Sequence, residues 1–260
     1  MKSTPKQTII MIHGFRGTHQ GLALIAAELP DYKVIVPDLP GFGEGKPLDS
    51  YDLASYVNWL HRFIHNQKLT RPLLLLGHSF GSIICAAYAA SYPETIEKLI
   101  LVNPIGAPAL EGPKAVLTKL AIFYYWLGRK LPKSLARPWL ASKLIVMVMS
   151  STMAKTHSKP LRHYIHQQHL KYFSKFYSPR SVSESFITSV THNVRDFAPM
   201  VHTPTLLIAG ELDDITPLEK QRILKSLFPH AKLVIIKGVG HLTHYETPKE
   251  IAKAIETFKK

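Results

Sequence analysis

The stretch Leu73-Leu74-Leu75-Leu76-Gly77-His78-Ser79-Phe80-Gly81 decides the fold of this 260-residue chain. Its four leucines read as a strand buried on both faces, and Ser82-Ile83-Ile84-Cys85-Ala86-Ala87-Tyr88-Ala89-Ala90 after it reads as a helix. Gly-x-Ser-x-Gly between a strand and a helix is the setting in which a serine stands on a tight elbow with its hydroxyl exposed. The elbow strains the backbone at the serine, and glycines at 77 and 81 let strand and helix approach closely. Five residues alone are a weak pattern. The strand before them and the small residues after them make Ser79 a candidate nucleophile.

Outward from the elbow the chain alternates strands and helices. Thr8–His13 is a short, continuously apolar run of the kind buried on both faces, followed by the turn Gly14-Phe15-Arg16-Gly17 and a helix over Leu22–Leu29. Lys33–Pro37 reads as a second strand, running into Asp38-Leu39-Pro40-Gly41-Phe42-Gly43-Glu44-Gly45. Those glycines lack the Gly-x-Gly-x-x-Gly spacing of a dinucleotide site, and Lys46-Pro47 opens no helix, so a nucleotide cofactor is rejected. Leu53, Tyr56, Val57, Leu60, Phe63 and Ile64 lie on one face of an amphipathic helix. Leu99–Asn103, Thr205–Gly210 and Leu233–Ile236 are further strands, with a helix over Pro217–Phe228 and a last one opening at Thr247-Pro248. Such alternation predicts an α/β fold: a mainly parallel, doubly wound sheet with its ligand site at the carboxyl ends of the strands.

Composition bounds the function. The apolar fraction, 46%, suits one soluble unit with a large core, and one domain with an insertion fits better than two independent domains. The single cysteine, Cys85, excludes an internal disulfide and a cysteine-built metal site; it falls on an apolar helix and reads as buried and inert. Met1–Lys6 is short and polar, with a core strand directly after it, and apolar runs such as Leu120–Leu127 fall far short of the ~18 residues a membrane span needs. A cytoplasmic protein is the expectation. The net charge of +14 is concentrated: Ile105–Met200 holds 14 Lys/Arg against 3 Asp/Glu. That asymmetry points to an anionic partner surface.

A serine hydroxyl needs a base within hydrogen-bond reach, and the base needs an acid that fixes its tautomer. Two residues just past strand ends fit those roles. Asp213 lies in Gly210-Glu211-Leu212-Asp213-Asp214-Ile215-Thr216-Pro217, and His241 lies in Gly238-Val239-Gly240-His241. Asp214 and His244, the latter a surface histidine about one turn on, are the local alternatives. His78 flanks the nucleophile but an adjacent side chain on an elbow points away from the hydroxyl, and it reads as structural.

With these motifs in order, the chain resembles the α/β-hydrolase superfamily over residues 8–104 and 203–258. The resemblance assigns the triad acid to Asp213, through Gly-x-x-Asp-x-x-x-Pro, and the base to His241, through Gly-x-Gly-His. It assigns the oxyanion donors to the backbone N–H groups of Phe15, in His13-Gly14-Phe15, and of Phe80. His13 then supports the oxyanion turn, and Asp38–Gly43 matches a structural loop of the family. Some members carry the acid one strand earlier, where this chain has Asn103, which cannot act as a carboxylate. About seven residues precede the first parallel strand, so the sheet is expected to have about six strands. Ser79 stands where dehalogenase and epoxide-hydrolase relatives carry aspartate, which argues against both activities.

The domain organisation expected is therefore a hydrolase core over 1–104 and 203–260 with a helical cap over 105–202. Cap helices are expected near 113–128, 134–150, 158–174 and 181–193. The first is almost apolar all round, and Lys119, Arg129, Lys130, Lys133, Arg137 and Lys143 are interleaved with its faces and those of the second. Two readings of the cap stay open: an ordinary lid lining an acyl or aryl pocket, and an interfacial element in peripheral contact with the anionic inner face of a membrane. His163, His166 and His169 recur every third residue without a carboxylate or cysteine, which reads as a polar helix face and not a metal site. No nucleic-acid motif accompanies the basic cap.

The expected activity is hydrolysis of a carboxylic ester, small and apolar or lipid-like, through an acyl-enzyme, with no cofactor and no metal. Hydrolysis of a carbon–carbon bond by the same triad, and a non-catalytic membrane-associated module on the same scaffold, are the alternatives.

Overall fold

The computed structural model describes residues 6–69, 72–108 and 115–259. Six strands, Thr8–Ile12 (β1), Lys33–Ile35 (β2), Leu73–His78 (β3), Ile96–Val102 (β4), Thr205–Gly210 (β5) and Ala231–Ile236 (β6), form one sheet in the order β2-β1-β3-β4-β5-β6. Every pairing is parallel. The core helices are Ala23–Ala27 (α1), Leu53–Asn66 (α2) and Phe80–Ser91 (α3) before the cap segment. The cap segment folds as Ala115–Lys130 (α4), Lys133–Leu140 (α5), Lys143–Met153 (α6), Lys159–Tyr172 (α7) and Pro179–Thr191 (α8). Leu218–Leu227 (α9), Thr243–Glu246 (α10) and Pro248–Lys259 (α11) complete the chain.

Strand residues alternate between two cores, as the period of a strand requires. Ile10, Ile12, Leu75, Leu99, Leu101 and Leu207 face α2, α3 and α9, whereas Ile9, Met11, Leu74, Leu76, Ile100 and Ile208 face α1 and α11. The first core continues into the cap segment, taking in Tyr125, Leu140, Val182 and Phe186. The cap helices thus share a core with the sheet.

The path of the chain places the site. From β1 it goes outward to β2 and then returns to β3 on the other side of β1. The crevice at the carboxyl ends of β1 and β3 is the topological switch point of the sheet, where doubly wound folds bind ligands. Register brings Ile12 beside Gly77, and Gly77 beside Leu101, so the turn after β1 and the elbow after β3 open at one height.

Several expected elements differ in extent. The second strand stops at Ile35, short of Val36-Pro37. The helix expected over Leu22–Leu29 is a 3₁₀ turn, His19–Leu22, leading into the short α1. The start of the first cap helix, 113–114, lies outside the described residues. The single helix expected over 134–150 is two. α5 closes on Ala141 N–H to Arg137 carbonyl (2.9 Å), and α6 opens with Val146 N–H to Ser142 carbonyl (3.1 Å). Pro138 deprives α5 of one donor, and Ser142 stands at the N-cap of α6, a position serine favours.

Candidate active site

Ser79 holds φ 52° and ψ −119°, a left-handed conformation costly for any residue with a Cβ. Its neighbours supply the restraint. The Ser79 N–H donates to the Val102 carbonyl (3.1 Å), and its carbonyl accepts from the Ser82 N–H (2.8 Å) and hydroxyl (2.5 Å). A Cβ at Gly77 would meet the Gly81 carbonyl, and one at Gly81 would run into the Ile12 carbonyl. Both glycines are thus demanded by backbone contact. Ser82 also accepts from the Ile105 N–H at 3.1 Å, tying the elbow to the chain after β4.

The three sequence-expected side chains meet although up to 162 positions separate them. His241 Nε2 lies 2.8 Å from Ser79 Oγ, and His241 Nδ1 lies 2.8 Å from Asp213 Oδ2. With Nδ1–H directed at the carboxylate, Nε2 presents its lone pair to the serine hydroxyl. Asp213 and His241 are buried, while Ser79 is partly exposed. Asp214, the local alternative, lies outward and bridges to Lys155 Nζ at 2.5 Å.

Asp213 is the most heavily hydrogen-bonded carboxylate of the site. Oδ1 accepts from the Ile215 and Thr216 N–H groups (2.8 and 2.9 Å), and Oδ2 accepts from His241, the Thr216 hydroxyl and Asn103 Nδ2 (2.7 Å). Burial alone would raise its pKa. The His241 charge and these donors overcome that and hold the carboxyl well below its usual range, so Asp213 is an anion throughout neutral pH. Leu212 N–H to Val239 carbonyl (2.8 Å) joins the acid loop to the histidine loop.

The turn after β1 packs on the elbow: a Cβ at Gly14 would sit 3.2 Å from the Ser79 Cβ. His13 braces this turn. Its Nδ1–H donates to the Gly14 carbonyl (2.8 Å) and its Nε2 accepts from the Leu39 N–H (2.9 Å), an arrangement available only to the neutral ring. Burial lowers its pKa accordingly. Phe80, the first residue of α3, has a backbone N–H without an intrahelical acceptor. Asp38 is structural, accepting from the His19 and Glu44 N–H groups.

Two histidine readings change. His244 is buried, not a surface residue: α10 turns it inward, with its ring 4.1 Å from that of His78 and 4.3 Å from that of Tyr245. His78 donates to the His241 carbonyl (3.3 Å), and burial, then the nearby His241, lower its pKa to about 3. His169 is not on a polar face either. It is wholly buried between Phe173 and Tyr245, with Nδ1 2.7 Å from Ser150 Oγ, and burial lowers its pKa to about 3.

Residues to which the sequence reading gave no role in the site complete it. Asn103, immediately after β4, has φ 45°, donates to Asp213 and the Gly240 carbonyl, and accepts from the Thr243 hydroxyl. Its place at a strand end was the available signal; its partners lie 110 and 140 positions away. Arg16 and Thr216 were equally silent.

The profile of the alpha/beta hydrolase fold matches residues 7–248. Lipase 1 of Psychrobacter immobilis is 26% identical over 97% of this chain and 77% of its own length. The monoacylglycerol lipase ABHD6 of Mus musculus is 25% identical over 97% of this chain and 75% of its own. Among solved structures, a thermophilic esterase from Thermogutta terrifontis superposes with a TM-score of 0.79 at 23% identity, covering 98% of this chain and 90% of that one. With that match running from β1 into α11, the chain belongs to the α/β-hydrolase family.

Proposed function

We propose that the protein is a serine hydrolase of carboxylic esters that works through an acyl-enzyme. One observation carries the reading: an unbroken hydrogen-bonded line from Ser79 Oγ through both ring nitrogens of His241 to Asp213, with 2.8 Å at each step. As Ser79 Oγ bonds to the ester carbonyl carbon, its proton passes to His241 Nε2, and Asp213 stabilises the imidazolium. The carbonyl oxygen becomes an oxyanion held by the Phe15 and Phe80 N–H groups, each worth about 3 kcal/mol of barrier. Collapse expels the alcohol, which takes the proton from His241. Water, deprotonated by His241, then attacks the acyl carbon and releases the acid and Ser79.

Lipase and monoacylglycerol lipase relatives support an apolar or lipid-like acyl ester as substrate. The cap supports access from a lipid surface. No helix among the described residues is long and apolar enough to cross a membrane. Yet Leu120, Phe123 and Trp126 are exposed on one face of α4, as are Leu135 and Trp139 on α5 and Leu144 and Val148 on α6. Residues 115–153 carry six Lys/Arg and no Asp/Glu. Apolar side chains at helical spacing, fringed only by cations, suit peripheral docking on the anionic inner face of a membrane.

A fluorophosphonate probe and a panel of esters of graded acyl length test the chemistry. The wild type is labelled and turns over, and Ser79→Ala does neither. Labelling or esterase activity retained in Ser79→Ala overturns the assignment. For the surface, sedimentation with anionic vesicles is expected to weaken with salt and with Phe123→Ser/Trp126→Ser. Equal binding to zwitterionic vesicles, or no effect of either change, refutes docking through the cap.

A further inference from the structure

Among the described residues Arg16 is the largest fully buried side chain, at 1% exposure, in a turn next to the nucleophile. A buried guanidinium is costly unless charged or strongly polar partners surround it. No carboxylate pairs with it among the described residues. Its partners are neutral: Nε donates to the Phe173 carbonyl (2.8 Å), Nη1 to the Tyr125 hydroxyl (3.2 Å) and Nη2 to the Leu140 carbonyl (2.8 Å), and the guanidinium lies over the Phe176 ring, 5.9 Å from its centroid.

Two of these acceptors explain how the charge is tolerated. Leu140 is the last residue of α5, and Phe173 is the C-cap of α7. Carbonyls in the last turn of a helix lack intrahelical donors and carry the negative end of the helix dipole. Arg16 therefore caps two helix ends at once, while Tyr125 brings in α4. Three cap helices converge on one side chain from the β1 turn.

The turn is consequently held from two sides. On the sheet side, His13 links the Gly14 carbonyl to the Leu39 N–H. On the cap side stands Arg16, with φ 58°, a backbone conformation that needs outside restraint in a residue with a long side chain. Phe15 lies between the two anchors. Its ring also packs on the cap, 5.5 Å from Tyr125 and 5.6 Å from Phe186.

We infer that Arg16 is a positioning residue: by binding the ends of α5 and α7 and the Tyr125 hydroxyl, it sets the Phe15 N–H for the oxyanion and makes that donor depend on a seated cap. The inference rests on the oxyanion role proposed above for Phe15. Lysine cannot replace Arg16, because its compact ammonium cannot span three acceptors at the tips of a planar fork.

Because the oxyanion is absent from the bound ester and forms only in the tetrahedral intermediate and its flanking transition states, misplacing its donor lowers kcat and leaves KM in place. The test compares Arg16→Lys, Arg16→Gln and Tyr125→Phe with the wild type on one short-chain ester. Each is also titrated with a trifluoromethyl ketone, whose tetrahedral hemiketal adduct with the serine mimics the oxyanion. For the Arg16 variants, kcat is expected to fall about 10- to 100-fold, with ketone affinity falling by a similar factor and KM within about twofold. Tyr125→Phe keeps the ring and removes one acceptor, so it shows the same pattern at a few-fold, and it serves as the test should the Arg16 variants not fold. Unchanged kcat in folded variants overturns the inference, as does a fall in kcat with ketone affinity intact. Esterase activity that survives Ser79→Ala instead overturns the underlying reading, whatever the Arg16 variants do.

Discussion

Acid is expected to unfold this protein through histidines that its core holds neutral. His78 and His169 are buried, and burial lowers the pKa of each to about 3. In the unfolded chain both return to about 6.5. A histidine with a depressed folded pKa contributes its full stability above the unfolded value and loses it as pH falls toward the folded one. Each pH unit in that window costs about 1.4 kcal/mol per histidine. Between about pH 6.5 and pH 5 the pair therefore loses about 3 kcal/mol, a large share of an ordinary domain's stability. His244 and His13 are lowered in the same direction and add to the loss. Glu246, raised by burial, opposes it weakly near the lower end, and the lowered Asp213 and Asp38 act only at more acid pH. The assay is urea unfolding followed by tryptophan fluorescence across this range, with His169→Phe as the partner measurement. His169 already lies 4.1 Å from the Phe173 ring, so a phenyl ring suits the site. The substitution is expected to reduce the slope of stability against pH by about 1.4 kcal/mol per unit. A wild type whose stability is flat from about pH 6.5 to pH 5, or a His169→Phe slope equal to that of the wild type, refutes the reasoning.

Asp213→Asn, with its amide oxygen kept on the Ile215 and Thr216 N–H groups and its NH2 turned to His241, takes away the acceptor that fixes the histidine tautomer; kcat is expected to fall about 10⁴-fold in a steady-state ester assay. Asn103→Ala removes one donor from Asp213 and the acceptor of the Thr243 hydroxyl, and kcat/KM should drop about 10- to 100-fold. Gly81→Ala drives a Cβ into the Ile12 and His13 carbonyls and should cost about 3 kcal/mol in denaturant unfolding; a loss below about 1 kcal/mol contradicts the close approach.

The residues that read most clearly were those whose type is demanded by backbone geometry. Gly77 and Gly81 are required by contacts within a few residues of the elbow and across to β1. The strands were legible because burial on both faces leaves continuous apolar runs, as in Leu73–Leu76 and Thr205–Ala209. The break at Ala141–Ser142 was hidden, because apolar residues continue on both sides of it and only packing decides where the helix turns. His169 and His244 were misplaced for a related reason. A histidine's periodicity is the same on a wet face and a dry one, and burial depends on what another element lays against it.

The α/β architecture, the elbow and the order of the candidate triad are written in local chemistry: apolar strands, glycines at a forced turn, and an acid and a base just past strand ends. What surrounds them depends on packing between distant segments. Asn103 on Asp213, and Arg16 on the ends of α5 and α7, are contacts across more than a hundred residues. No local pattern encodes such partners. They exist because a parallel sheet brings every strand's carboxyl end to one edge, and the helices between β4 and β5 pack into the same core.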